Sequence, residues 1–366
     1  MIVKNTVKNF WIILWLFCIL TSSFGNENPS KNPEPARVKN VIIMIGDGMG
    51  VAQVYAGLTA NKGNLNLERC RHIGFSKTYS ANNYITDSAA GGTAIACGIK
   101  TNNSMIGMDP DKKSVKSMLE YAAEYGMSTG IAVTCEVTHA TPASFYAHQP
   151  QRDMEEKIAI DLLNSDITVC IGGGRNKLEK RSDKQNITEQ MKSKGYQIAY
   201  SMDEVKKVES GKLLGLMAKN HLGSFPGRGN MLPDAVQTSI NILKKNTKGF
   251  ILMVEGSQID FGGHTNNTNR ITNEMLDFDS AIKVALDFAE QTPQTLVIIT
   301  ADHETGGMTI TGGNFKKGDV KAKYTSKRHT GVMVPIFAFG TGAEEFTGII
   351  ENTDILPKVL SLCGIK

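Results

Sequence analysis

Six short, almost uninterrupted apolar runs limit what this chain can fold into. They cover residues 41–45, 129–133, 168–171, 250–254, 296–300 and 335–339. A strand that is apolar at nearly every position has both faces buried, as in a parallel sheet covered by helices on each side. The intervening segments supply those helices, at 114–125, 154–163, 234–244 and 272–290. In the last, Met275, Phe278, Ile282, Leu286 and Ala289 recur at helical spacing. The alternation predicts a doubly wound α/β fold, with a mostly parallel central sheet flanked by helices on both faces. No repeat or second linker interrupts it, so residues 38–366 are expected to form one domain, long enough to bury a large core.

The first residues read differently. Lys4 and Lys8 precede an apolar run over 10–20, and Ser22, Ser23 and Gly25 follow. Charge, apolar run and small residues are the order of a secretory signal peptide, and the run is short for a membrane span. Residues 1–25 are read as an export signal and 26–37, rich in Asn, Pro and Lys, as a linker. The mature chain is then periplasmic or secreted, with no transmembrane segment. The net charge of +4 falls to +2 without Lys4 and Lys8, which gives no reason to expect a nucleic-acid partner. Beyond Cys18 the cysteines are Cys70, Cys97, Cys135, Cys170 and Cys363. They are odd in number, widely spaced and lack any CxxC pair. Neither a disulfide framework nor a thiolate zinc site is indicated, and they read as small buried hydrophobes.

In open α/β sheets, ligands bind beyond the carboxyl ends of the strands. Four of the runs lead into polar residues at that end. After 41–45 stands Asp47, within a Gly-Asp-Gly-Met-Gly turn. The run at 129–133 leads to His139 and Thr141. Glu255, Asp260 and His264 follow 250–254, and Asp302 and His303 follow 296–300. Carboxylate and imidazole donors suit zinc, and carboxylate with hydroxyl oxygen suits magnesium. Asp260 and His264 are spaced so that one helical turn aims both at one ion.

A second signal is the stretch Thr86-Asp87-Ser88-Ala89-Ala90-Gly91-Gly92-Thr93-Ala94. It reads as a helix start with Ser88 in the first turn, where unpaired N–H groups attract an anion. A serine there can attack phosphorus if a metal lowers its hydroxyl pKa; a serine that only caps the helix is the simpler alternative. The glycines at 46–50 and 172–174 lack the spacing of a dinucleotide-binding loop.

Together these blocks resemble the alkaline phosphatase family, from about Val41 to the C-terminus. They are GDGMG around Asp47, TDSAAGGTA around Ser88, HATPA from His139, AHQPQR ending at Arg152, IGGGR ending at Arg175, VEGSQIDFGGH ending at His264, TADHETGG from Thr300 and HTG at His329. The resemblance implies an exported phosphatase that hydrolyses phosphate monoesters and releases inorganic phosphate. It makes Ser88 the nucleophile, converted to phosphoserine, and Arg152 the clamp on two phosphate oxygens. Asp47, Asp302 and His303 would hold one zinc, and Asp260, His264 and His329 a second. Two such cations about 4 Å apart can stabilise the entering and leaving oxygens of an in-line displacement. Asp47, Thr141 and Glu255 would hold a third ion, usually magnesium.

The chain departs from the family pattern in three places. His139 stands where many members have Asp, and Phe261 where they have Lys, His or Trp. Imidazole is a poorer magnesium ligand than carboxylate and a better zinc or cobalt one, so the third ion is magnesium, zinc or cobalt. The interval from His303 to His329 is short, which implies reduced crown insertions. Such insertions usually build the dimer surface, so both a homodimer and a monomer stay open. His148 matches a position behind the ligands, or is simply structural. The alternatives are a phosphodiesterase or sulfatase of the same superfamily, or a non-catalytic phosphate- or metal-binding protein.

Overall fold

The strand Asn40–Gly46 (β1) is buried at all seven positions and lies inside a ten-stranded sheet. The computed structural model describes residues 37–366; the expected signal over 1–25, and all but the last residue of the expected linker over 26–37, lie outside the described residues. The other strands are β2 (His72–Lys77), β3 (Ser128–Glu136), β4 (Val169–Gly173), β5 (Tyr196–Ala199), β6 (Lys212–Leu216), β7 (Phe250–Gly256), β8 (Thr295–Thr300), β9 (Glu304–Thr305), β10 (Met308–Asn314), β11 (Asp319–Tyr324), β12 (His329–Thr330), β13 (Val334–Gly340) and β14 (Gly348–Glu351). The sheet order is β14-β2-β13-β8-β1-β7-β3-β4-β6-β5. From β8 to β5 every pairing is parallel. Two neighbouring pairs, β9 with β12 and β10 with β11, form small antiparallel ribbons outside the sheet.

Five of the six apolar runs are strands in the parallel part of the sheet. The sixth is a correction. Residues 335–339 lie in β13, which runs antiparallel to both β8 and β2. An apolar run records burial on two faces and carries no direction, and β13 is buried between β8 and β2 as a parallel strand would be. Strands β2, β5, β6 and β14 left no such run. In β2 only Gly74 and Ser76 are buried, because it lies near the sheet edge.

Successive residues of each central strand feed opposite faces. On one face Ile43, Ile45, Ile131, Val133, Met253 and Ile298 pack with Ile95, Leu119, Ile158 and Val359. These last come from the helices Ser88–Cys97, Met118–Tyr125, Glu155–Asn164 and Ile355–Cys363. On the other, Ile42, Met44, Leu252, Val254, Val297 and Ile299 pack with Ala56, Val236, Ile240, Met275, Phe278, Ile282 and Leu286, from the helices Val51–Ala60, Met231–Leu243 and Thr268–Gln291. Burying one such large side chain contributes about 1.5–3 kcal/mol. The helix expected from 114 starts at Met118, since Ser117 caps it by accepting from the Glu120 N–H while Glu120 accepts from the Ser117 N–H. Among the described residues no helix is long and apolar enough to cross a membrane, and all five cysteines are buried and free.

Candidate metal centre and active site

The four strands that end in polar residues are neighbours in the order β8-β1-β7-β3. Because they are parallel, their carboxyl ends share one sheet edge, and the side chains at and just beyond those ends meet. Three groups result. Asp47, Asp302 and His303 form the first; Asp260, His264 and His329 the second; Cys135, His139 and Glu255 the third. Within each group the ligand-type atoms lie within 4.8 Å of one another.

In the first group every residue is fully buried. His303 Nε2 lies 3.2 Å from Asp302 Oδ2 and 3.6 Å from Asp47 Oδ1. Thr305 fixes the ring. Its hydroxyl donates to Asp260 Oδ1 at 2.5 Å and lies 3.2 Å from His303 Nδ1, so it accepts from that nitrogen and leaves the Nε2 lone pair facing the carboxylates. Gly48 lets the turn come this close. Its φ is +74°, and a Cβ there would meet Asp260 Cα at 2.9 Å and Thr305 Oγ1 at 2.8 Å.

The second group follows the same logic. Asp260 and His264 sit on the short helix Gln258–His264, and His329 arrives on β12. His264 Nδ1 donates to the Lys327 carbonyl at 2.7 Å and His329 Nδ1 to the Thr86 carbonyl at 2.9 Å. These bonds turn both Nε2 atoms inward, 3.2 Å apart, with Asp260 3.3 and 3.6 Å away. Two imidazole nitrogens and a carboxylate converging on one point are a cation's donor set.

Electrostatics say the same. Burial, with Asp302 and other acids nearby, holds the Asp47 carboxyl well above the usual carboxylate range. Burial, then the neighbouring acids, push Glu255 up to about 8 and Asp302 up to about 7. Burial and His329 drive His303 well down, and burial lowers His329. The bond to Asp260 raises His264 to about 9. Asp47, Glu255 and Asp302 thus resist losing protons and His303 and His329 resist gaining them, while the imidazoles around Asp260 hold it low against burial; a divalent cation would relieve this crowding of acids and buried rings. Asp47 Oδ1 and Oδ2, Asp302 Oδ2, Glu255 Oε1, Thr141 Oγ1 and His139 Nδ1 are buried without a hydrogen-bond partner. Orphans in such number at one place point to metal ligands.

Ser88 begins the helix Ser88–Cys97, capped by Asp87, whose Oδ1 accepts from the Ala90 N–H at 3.0 Å. Its Oγ lies 3.2 Å from His303 Nε2, beside the first group, while the carbonyl of Thr86, two residues earlier, anchors His329 of the second. Gly91 and Gly92 bring the helix this near: a Cβ on Gly91 would stand 3.0 Å from the Asp302 carbonyl oxygen, and on Gly92 2.9 Å from Ser144 Oγ. Arg152 donates from Nη1 to Asp87 Oδ2 at 3.2 Å and from Nη2 to His139 Nε2 at 3.3 Å.

Thus Ser88, Arg152, Asp47, Asp260, His264, Asp302, His303, His329, Glu255, Thr141 and His139 all lie at one edge of the sheet. His148 does not join them. Its ring nitrogens face the Gly107 carbonyl at 2.7 Å and Glu120 at 3.0 Å, where it ties a loop to the helix Met118–Tyr125. Sequence reasoning missed Asp87, Thr305, Cys135 and His221. His221 accepts from the Glu136 N–H at 3.2 Å, and its ring packs edge-on to those of His139 and Phe261, at 5.4 and 5.1 Å. Only its place in the fold reveals it. Asp87 could have been found as the residue adjoining a helix-start serine. The short interval between His303 and His329 folds as the β10–β11 hairpin.

Known proteins are similar to this chain over most of its length. The family model for alkaline phosphatase matches residues 38–323. Alkaline phosphatase 4 of Bacillus subtilis is 34% identical, over 89% of this chain and 88% of that protein. The alkaline phosphatase of the Antarctic bacterium TAB5 superposes with a TM-score of 0.86 at 38% identity, over 91% of this chain and all of that one. A variant of the TAB5 enzyme with a histidine replaced by glutamate, of the same TM-score, identity and coverage, has Mg bound in its M3 site. With these matches spanning nearly all of the described residues, the chain belongs to the alkaline phosphatase family.

Proposed function

We propose that the protein hydrolyses phosphate monoesters by a double displacement through a phosphoserine at Ser88. One observation carries this reading: a buried serine hydroxyl at a helix start, 3.2 Å from His303 Nε2, between two clusters of metal-type donors. Asp47, Asp302 and His303 would hold one zinc, Asp260, His264 and His329 a second, and Glu255, Thr141 and His139, with Asp47, a third ion. Bound there, the ions would supply Lewis-acid stabilisation of the entering and leaving oxygens.

The chain's own residues do the rest. The N-terminus of helix Ser88–Cys97 places its dipole toward the dianion. Arg152 offers a planar pair of donors matched to two non-bridging oxygens. Ser88 Oγ forms a bond to phosphorus as the ester P–O bond breaks; the serine proton passes to water and the departing alkoxide takes one up. Water then attacks the phosphoserine from the side the alcohol left, releasing inorganic phosphate and restoring the hydroxyl. Arg152 favours monoesters, because a diester would place an alkylated oxygen against a cation that wants two free ones.

The order Lys4, Lys8, apolar run and small residues supports action outside the cytoplasm. The deciding experiment is turnover of p-nitrophenyl phosphate and a matched diester by the purified chain, before and after chelation. Monoester turnover that chelation abolishes and zinc restores supports the proposal; turnover indifferent to metal, or faster on the diester, overturns it.

A further inference from the structure

Cys135 differs from the other cysteines in its surroundings. It is the penultimate residue of β3 and fully buried. Its Sγ lies 3.3 Å from Glu255 Oε2 and 3.2 Å from the Glu136 carbonyl oxygen. Among the described residues, Cys70, Cys97, Cys170 and Cys363 belong to no cluster of metal-type donors. Cys135 shares one with His139 and Glu255, their donor atoms within 4.8 Å of one another.

The surroundings point to an ion independently of the thiol. Glu255 Oε1 and Thr141 Oγ1, on fully buried residues, are unpartnered there, as is His139 Nδ1. Arg152 donates to the other nitrogen, Nε2, which puts the neutral ring's proton on Nδ1; presenting the Nδ1 lone pair to an ion therefore means releasing that hydrogen bond and carrying the proton on Nε2. With zinc–ligand bonds of about 2.3 Å to sulfur and 2.0–2.2 Å to nitrogen or oxygen, neighbouring donors in a tetrahedron stand about 3.5 Å apart. The Cys135–Glu255 separation of 3.3 Å already matches. Magnesium asks instead for a near-octahedral shell of oxygens.

We propose that Cys135 is a ligand of the third site, as a thiolate alongside His139 and Glu255, and that this donor set selects zinc over magnesium there. The proposal rests on the third cluster being a metal site, as read above, and departs from the expectation that no cysteine of this chain serves a metal. On binding, the S–H bond gives its proton to water and the sulfur lone pair forms the metal–sulfur bond, with no change of oxidation state.

The test loads the chelated full-length protein with cobalt(II), a spectroscopic stand-in for zinc, one equivalent at a time. The expected result is a thiolate-to-cobalt charge-transfer band in the near ultraviolet, growing with one equivalent only. It should be absent in Cys135→Ser and retained in Cys97→Ala. Equilibration with mixed zinc and magnesium should then give one magnesium more and one zinc fewer per chain in Cys135→Ser than in the parent. A parent protein that takes up cobalt without the band overturns the proposal, whatever the variants do, and so does a band that survives Cys135→Ser. Turnover of p-nitrophenyl phosphate, measured in parallel, reads the phosphatase proposal separately: activity without the band removes only the thiolate.

Discussion

Asp87 and Arg152 are joined by a hydrogen bond of 3.2 Å from Nη1 to Oδ2, so the residue that caps the helix of Ser88 also aims the guanidinium. The same carboxylate accepts from Ala90 N–H through Oδ1 and from Ser104 N–H through Oδ2. One side chain therefore sets both the start of the Ser88 helix and the direction of Arg152, the helix and the guanidinium of the proposed nucleophile and phosphate clamp. Asp87→Ala should lower stability by about 1 kcal/mol through loss of the cap and raise KM for a monoester more than it lowers kcat. Thermal unfolding and steady-state kinetics on one preparation check this. An unchanged KM would mean that Arg152 needs no anchor.

Arg152→Ala should lower kcat/KM for a monoester by about 10²- to 10³-fold, the usual cost of deleting one charge-stabilising donor, and weaken inhibition by inorganic phosphate. A diester should lose far less. Comparable losses on both substrates would show that Arg152 does not touch the non-bridging oxygens.

Ser88→Ala should abolish phosphoenzyme formation and cut monoester turnover by about 10³-fold or more, leaving the residual catalysis that binding groups alone provide. Acid-quenching the parent enzyme in labelled inorganic phosphate, followed by peptide mapping, should place the label on Ser88. Label on another residue, or full turnover by the variant, would refute the assignment.

Stability of the chelated protein should fall as pH rises above neutrality. Glu255 and Asp302 have folded pKa values near 8 and 7, well above ordinary carboxylates. The folded state therefore holds protons that the unfolded chain has already released, and stability is lost as pH climbs from about 4 toward 8. His264, raised to about 9, adds a loss between about 6.5 and 9. Asp260 is held low, mainly by the histidines against the effect of burial, and acts only below pH 4. Below about pH 6.5 the lowered imidazoles of His139, His303 and His329 oppose this trend, so melting curves from pH 7 to 9 should slope downward after chelation and flatten when zinc is added; identical slopes would argue that these groups bind no ion.

Gly91→Ala should destabilise the protein by about 1–3 kcal/mol as an overpacked contact, because its Cβ would stand 3.0 Å from the Asp302 carbonyl. The same push moves Ser88 relative to His303, so activity should fall further than stability alone explains. Ala90→Gly, one residue earlier, is the control for helix propensity.

Much of this centre can be read from one dimension. Asp260 and His264 fall on one face of a helical turn at their observed spacing, and Asp47, Glu255, Asp302 and His303 follow strands that announce themselves by being apolar throughout. The clustering of their side chains follows from parallel pairing, since parallel strands end on the same edge. Strand direction was not written in the same way. The apolar run at 335–339 is as dense as the others, yet β13 is antiparallel; β14 is short, and β2 is too mixed in pattern to stand out. Periodicity reports which faces are buried; the path of the chain between strands decides which way each one runs.

By itself the sequence determined the class of fold, the edge on which chemistry occurs and the types of donor gathered there, because burial and strand alternation are local properties of the chain. Only the tertiary structure decided which donors converge on one point, which imidazole nitrogen each turns inward, and that Asp87, Cys135 and His221 stand among them. Asp87 and Arg152 are 65 residues apart, and Cys135 and Glu255 are 120. Contacts across such intervals are set by the packing of helices and strands between them, which no local pattern encodes.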